Sequence, residues 1–174
     1  MKKISSLVVL RLLVLPLFIF VFASCGSDDP DKIAERDDRR IREWLDDKGY
    51  VEFVDYVQVT RFNEETNTHE DTGVYFVELV PGEGPFPTEQ ATVNISYTGT
   101  LLNGKEFDSS YASTLYLPNT ILGFRYGLTK FNVGCEGILL IPSGLGYGPQ
   151  GTLSVPRNSV LIFDIKMNVF SNGK

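Results

Sequence analysis

The chain is poor in the residues that most enzymes use for covalent chemistry. Among 174 residues there is one histidine, His69, and there are two cysteines, Cys25 and Cys135. A cysteine–histidine nucleophile and a histidine-based metal centre are therefore excluded as leading readings. No phosphate-binding glycine loop, internal repeat or coiled-coil heptad is present. Basic charge is scarce as well: 16 lysines and arginines face 22 acids, a net charge of −6. Such a chain repels phosphate backbones and anionic lipid surfaces, which argues against nucleic acid as a partner. What is plentiful is apolar and aromatic residues, 43% and 12%, so a sizeable core is available.

The first 24 residues are a different material from the rest. Lys2 and Lys3 precede an apolar run, Val8 to Ala23, interrupted by Arg11 and Pro16 and ending in Phe22-Ala23-Ser24-Cys25. The run is shorter than the ~20 apolar residues that a membrane span needs, and small residues at its end favour cleavage, so it reads as a signal peptide. Ala-Ser-Cys resembles a bacterial lipobox, with Phe22 where leucine is usual. Cys25 then becomes the acylated N-terminus and Cys135 has no disulfide partner; its apolar surroundings make it a buried or edge-strand thiol. Loss of residues 1–24 removes three bases and no acid, which moves the net charge from −6 to −9. The acyl chain is then the expected membrane contact, placing the protein in the cell envelope, on the periplasmic or surface face of the outer membrane. Gly26-Ser27-Asp28-Asp29 admits two compatible readings. Asp29 can cap a helix that opens at Pro30, and acids just after the lipid cysteine resemble a surface-export signal of Bacteroidetes lipoproteins.

Residues 30–48 predict a charged helix closed by Gly49, with a thin apolar stripe of Ile33, Ile41, Trp44 and Leu45. Tyr50 to Phe62 predicts a strand, Asn63 to Thr72 a polar loop holding His69, and Gly73 to Val80 another strand. Val93, Ile95 and Tyr97 alternate with Asn94, Ser96 and Thr98, as in a half-buried strand. Asn103-Gly104 predicts a tight turn into a second strand, Lys105 to Ser109. Neighbours on a strand point to opposite faces, so Phe107 and Asp108 share one site only if the strand twists or ends there, and Ser109-Ser110 suggests an end. Leu115 to Leu117 predicts a short strand, Asn119 to about Leu128 a short helix, and Val133 to Ile141 a buried strand. Pro142 to Arg157 is a long glycine- and proline-containing loop, of the kind that is often functional. Ser159 to Phe170 is the last strand. Several strands around one short helix imply an α+β architecture with an antiparallel sheet.

Four motifs occur in order: Tyr-Thr-Gly-Thr-Leu-Leu-Asn-Gly-Lys-Glu-Phe-Asp-Ser-Ser from Tyr97, Gly146-Tyr147-Gly148, Val155-Pro156-Arg157-Asn158, and Leu161-Ile162-Phe163-Asp164-Ile165. Together they resemble the signature of FKBP-type peptidyl-prolyl isomerases. The resemblance divides the chain into residues 1–24 as signal peptide, 25–72 as anchor, helix and extra strand, and 73–171 as the isomerase domain. It implies a half-open antiparallel sheet wrapped around a short helix. It also implies that Asp108 and Tyr147 carry catalysis, and that Tyr97, Phe107, Leu115, Ile121, Phe124, Val155 and Phe163 line a proline pocket. Val155 fits with a one-residue gap in the preceding loop. Phe124 stands where the family usually has tryptophan, and Leu115 where it usually has phenylalanine. Both changes reduce aromatic surface.

The function so implied is cis–trans isomerisation of Xaa–Pro bonds in exported or envelope proteins, a membrane-anchored folding helper. It needs no metal and no other cofactor, because turning an amide breaks no covalent bond. The alternative is a catalytically weak or inactive binding module of an outer-membrane assembly. A hydrolase or redox enzyme built on Cys135 or Asp108 lacks a base and an orienting third group.

Overall fold

The computed structural model describes residues 29–52 and 55–173; the proposed leader and the candidate lipidation site Cys25 lie outside the described residues. Helix α1 spans Pro30–Lys48. Its start is set locally: the Asp29 carboxylate accepts the Asp31 N–H at 3.1 Å and Pro30 fills the first turn. Its end is set by Gly49, left-handed at φ 81°, with the Gly49 and Tyr50 N–H groups closing on Asp46 and Leu45 carbonyls.

Six strands follow: β1 Tyr56–Asn63, β2 Thr68–Val80, β3 Thr92–Leu101, β4 Glu106–Tyr116, β5 Glu136–Ile141 and β6 Leu161–Ser171. They form one antiparallel sheet in the order β1-β2-β5-β6-β3-β4. Helix α2, Leu122–Gly127, packs on the inner face. A Cβ on Gly123 would meet Ile141 at 2.2 Å and one on Gly127 would meet Leu139 at 2.4 Å, so glycine at both positions seats the helix directly on β5.

The sheet has a core on each side. The inner core contains Val74, Phe76, Leu139, Ile141, Leu161, Phe163 and Ile165, with Phe124 and Leu128. The outer core alternates with it along the same strands, through Tyr75, Val77, Ile138, Leu140 and Ile162, and is covered by Ile41 and Leu45 of α1. Central strands buried on both faces read as unbroken apolar runs rather than alternating ones. Helix α1 thus docks along its length instead of standing apart. The Tyr75 hydroxyl donates to Asp38 at 2.5 Å, and the Arg42 guanidinium lies over the Tyr75 ring at 5.4 Å.

Several boundaries differ from the sequence-based expectation. The polar loop contracts to residues 64–67, because β2 pairs with β1 back to Thr68↔Asn63, and His69 lies on β2. The expected strands Lys105–Ser109 and Leu115–Leu117 are one strand, β4, which stays paired with β3 by bulging. The expected helix from Asn119 is split. Leu117–Asn119 forms a 3-10 turn, Thr120 is extended, and α2 opens only after Ile121.

Candidate active site

β3 carries Tyr97 on its inner-facing row, next in the pattern after Val93 and Ile95. β4 supplies Phe107 and Asp108 through an irregularity. Thr100 pairs with Glu106 and Gly99 with Asp108, so Phe107 is an extra residue in a bulge. A bulge re-aims side chains that strict alternation would send to opposite faces. The Phe107 ring reaches Phe163 (centroids 5.4 Å apart), while the Asp108 carboxylate accepts the Tyr97 hydroxyl at 2.8 Å. Gly99 makes the approach possible, since a Cβ there would lie 2.8 Å from both the Phe107 and Phe163 rings.

α2 brings Phe124 to 4.4 Å from the Phe163 ring and 6.1 Å from the Tyr97 ring, and Tyr97 lies 6.0 Å from Phe163. The Tyr97, Phe107, Phe124 and Phe163 rings therefore converge in one apolar cluster. Leu115, Ile121, Tyr147 and Val155 belong to the same cluster, together with Tyr126 and Leu145. Ile121 is the residue before the first turn of α2, where backbone N–H groups have no partner within the helix. Among the candidate residues, Asp108 alone is exposed; its position beside half-buried Tyr97 and Tyr147 puts one charge at the rim of an apolar surface.

That charge is felt by both phenols. Burial first, then the hydrogen bond to Asp108, push the Tyr97 hydroxyl up to about 12. Burial and the Asp108 charge also raise Tyr147. Both hydroxyls are thus held as neutral donors at neutral pH. Cys135 is buried in the inner core, and burial pushes its thiol up to about 11, so it is protonated and inert.

The loop carrying Tyr147 and Val155 is closed by its own hydrogen bonds. Gly148 N–H reaches the Ser143 carbonyl at 2.9 Å, and Asn158 N–H the Gly148 carbonyl at 2.8 Å. The Thr152 hydroxyl accepts the Val155 N–H at 3.0 Å. Two residues supporting this loop escaped the sequence reading, Asp37 and Ser143. The signal was present: Asp37 lies midway between Ile33 and Ile41 at four-residue spacing, an acid on the apolar stripe.

Residues 84–168 match the family model for FKBP-type peptidyl-prolyl cis-trans isomerase. FK506-binding protein 1 of Candida glabrata is 39% identical over 103 residues, 55% of this chain and 90% of that one. The chain belongs to the FKBP-type peptidyl-prolyl cis-trans isomerase family. It is also 41% identical over 101 residues to the FKBP-type isomerase FkpA of Buchnera aphidicola, across 55% of this chain and 40% of that one. The chain thus spans between 37% and 58% of the length of the FkpA relatives it matches. A crystal structure of a peptidyl-prolyl cis-trans isomerase from Pseudomonas syringae superposes with a TM-score of 0.64 at 26% identity, covering 84% of this chain and all of that one. Within this FKBP sheet, α1 and β1 both precede the segment that the family model matches, and α1 closes the outer face.

Proposed function

We propose that the chain accelerates cis–trans isomerisation of Xaa–Pro bonds, with the proline ring seated on Tyr97, Phe107, Phe124 and Phe163. The observation that carries this reading is the Tyr97–Asp108 hydrogen bond at 2.8 Å beside four converging rings. The barrier to turning an amide, roughly 18–20 kcal/mol, is resonance. A twisted amide has lost charge separation, so it loses less than the planar one on entering an apolar surface. Placed donors and acceptors then favour the twisted state. In this scheme Leu115, Ile121 and Val155 complete the wall, the Tyr147 hydroxyl and the Ile121 N–H hold flanking carbonyls, and Asp108 fixes Tyr97 and sets the polarity at the rim.

The decisive experiment is isomerisation of a short Xaa–Pro peptide by the chain from residue 27 onward. Wild type accelerates the reaction; Asp108→Ala and Tyr147→Phe each lower kcat/KM about tenfold. A folded chain without acceleration sinks the catalytic reading. It would favour the second one, a module that holds a proline-containing segment without turning it, to which the substitutions Phe124 and Leu115 lend weight.

The clients in this proposal are exported proteins, met at the membrane through a lipid on Cys25. Among the described residues no helix is long and apolar enough to cross a membrane. Metabolic labelling with a tagged fatty acid tests the anchor: wild type takes up label and Cys25→Ser does not. Label retained on Cys25→Ser refutes it.

A further inference from the structure

Helix α1 buries one acid against the turn that follows β5. Asp37 is fully buried. A buried carboxylate is strongly disfavoured unless its lone pairs are used, and here they are. Oδ2 accepts the Ser143 N–H at 2.9 Å and the Ser143 hydroxyl at 2.5 Å. Oδ1 accepts Arg36 Nε at 3.1 Å and Nη2 at 2.6 Å. The same Arg36 Nη2 donates to the Asn158 carbonyl at 3.0 Å.

Ser143 and Asn158 bracket the loop that bears Tyr147 and Val155. Inside it both bond to Gly148, the neighbour of Tyr147. Asn158 sits at φ 52°, a left-handed conformation costly for a side-chain-bearing residue unless its surroundings hold it. Arg36 and Asp37 therefore grip both ends of the site loop from an element outside the segment that the family model matches.

We propose that Asp37, seconded by Arg36, is a positioning residue for the Tyr147 loop, so that α1 sets the geometry of the site without touching substrate. The kinetic part rests on the isomerase reading above; the clamp itself does not. Asp38, one residue on, supplies the contrast. It accepts from Tyr75 and Arg42 and holds α1 to the sheet instead of the loop.

The test compares Asp37→Asn with Asp38→Asn in the chain from residue 27 onward, by hydrogen exchange of the amides in 144–157 and by peptide isomerisation. Asp37→Asn makes loop amides exchange about tenfold faster and lowers kcat/KM about tenfold, while exchange in β5 and β6 is kept. Asp38→Asn lowers stability but leaves loop exchange and kcat/KM alone. Combined with Tyr147→Phe, Asp37→Asn adds little further loss, because both act on one hydroxyl. Unchanged loop exchange in folded Asp37→Asn overturns the proposal, as do equal effects of Asp38→Asn or fully additive losses in the double variant. If Asp37→Asn does not fold, Ser143→Ala carries the same measurements, since it deletes one donor and keeps the N–H. A wild type that does not accelerate isomerisation removes the isomerase reading, while loop exchange still decides the clamp.

Discussion

Tyr97 keeps its proton because burial and the adjacent Asp108 carboxylate both penalise the phenolate. The folded-state value, about 12, lies above the ordinary 10.0, so folding favours the neutral form. This contribution is complete below about pH 10 and is lost as pH rises towards about 12. Chemical denaturation of wild type and Tyr97→Phe shows it: the stability gap between them is constant up to about pH 10 and narrows between about pH 10 and about pH 12. Tyr75 also titrates late but is common to both proteins and cancels in the difference. Gly99 acts by size alone. Gly99→Ala forces the Phe107 and Phe163 rings apart and costs about 1–3 kcal/mol in urea denaturation, with a fall in kcat/KM for the peptide. Tyr97, Phe107, Asp108, Tyr147, Val155 and Phe163 were readable as candidates at this scale because they stand in the four motifs, whereas Leu115, Ile121 and Phe124 lie between them. Asp37 stood out only as an acid on the apolar stripe of α1; its partner Ser143 is 106 residues away and nothing local announces that pairing.

Elements with chemical punctuation were readable from sequence. Helix α1 has Asp29 and Pro30 at one end and Gly49 at the other, and its bounds follow. β4 has none at its middle. Ser109-Ser110 looked like an end, yet the strand runs on to Tyr116, because pairing with β3 outweighs the weak strand preference of serine and the bulge at Phe107 absorbs the misfit. That bulge also answers how Phe107 and Asp108 serve one site. The docking of α1 was announced by its own thin stripe, in which Trp44 and Leu45 are placed to dock its last turns, and strands apolar on both faces in β2, β5 and β6 agree with it. Leu45 is fully buried between α1 and the sheet, so Leu45→Ala costs about 3 kcal/mol in urea denaturation. A loss below about 0.5 kcal/mol would mean that α1 does not dock in solution.

At the scale of the whole molecule, two cores share the same three central strands, so neither can melt without exposing the other. Cooperative unfolding follows. The sole tryptophan, Trp44, lies on α1, stacked 6.4 Å from Tyr50, and reports the outer layer. Its fluorescence and the far-ultraviolet circular dichroism of the sheet should change at one urea midpoint. An earlier fluorescence midpoint would mean that α1 leaves first and that its grip on the Tyr147 loop is separable from the fold. The linear sequence by itself determined the elements with local signals and the α+β class, since caps, turns and alternation act between near neighbours. Only the tertiary structure decided which face α1 covers, how the bulge turns Phe107 and Asp108 to one side, and that Asp37 meets Ser143. Those outcomes depend on surfaces and hydrogen-bonding groups brought together from distant parts of the chain.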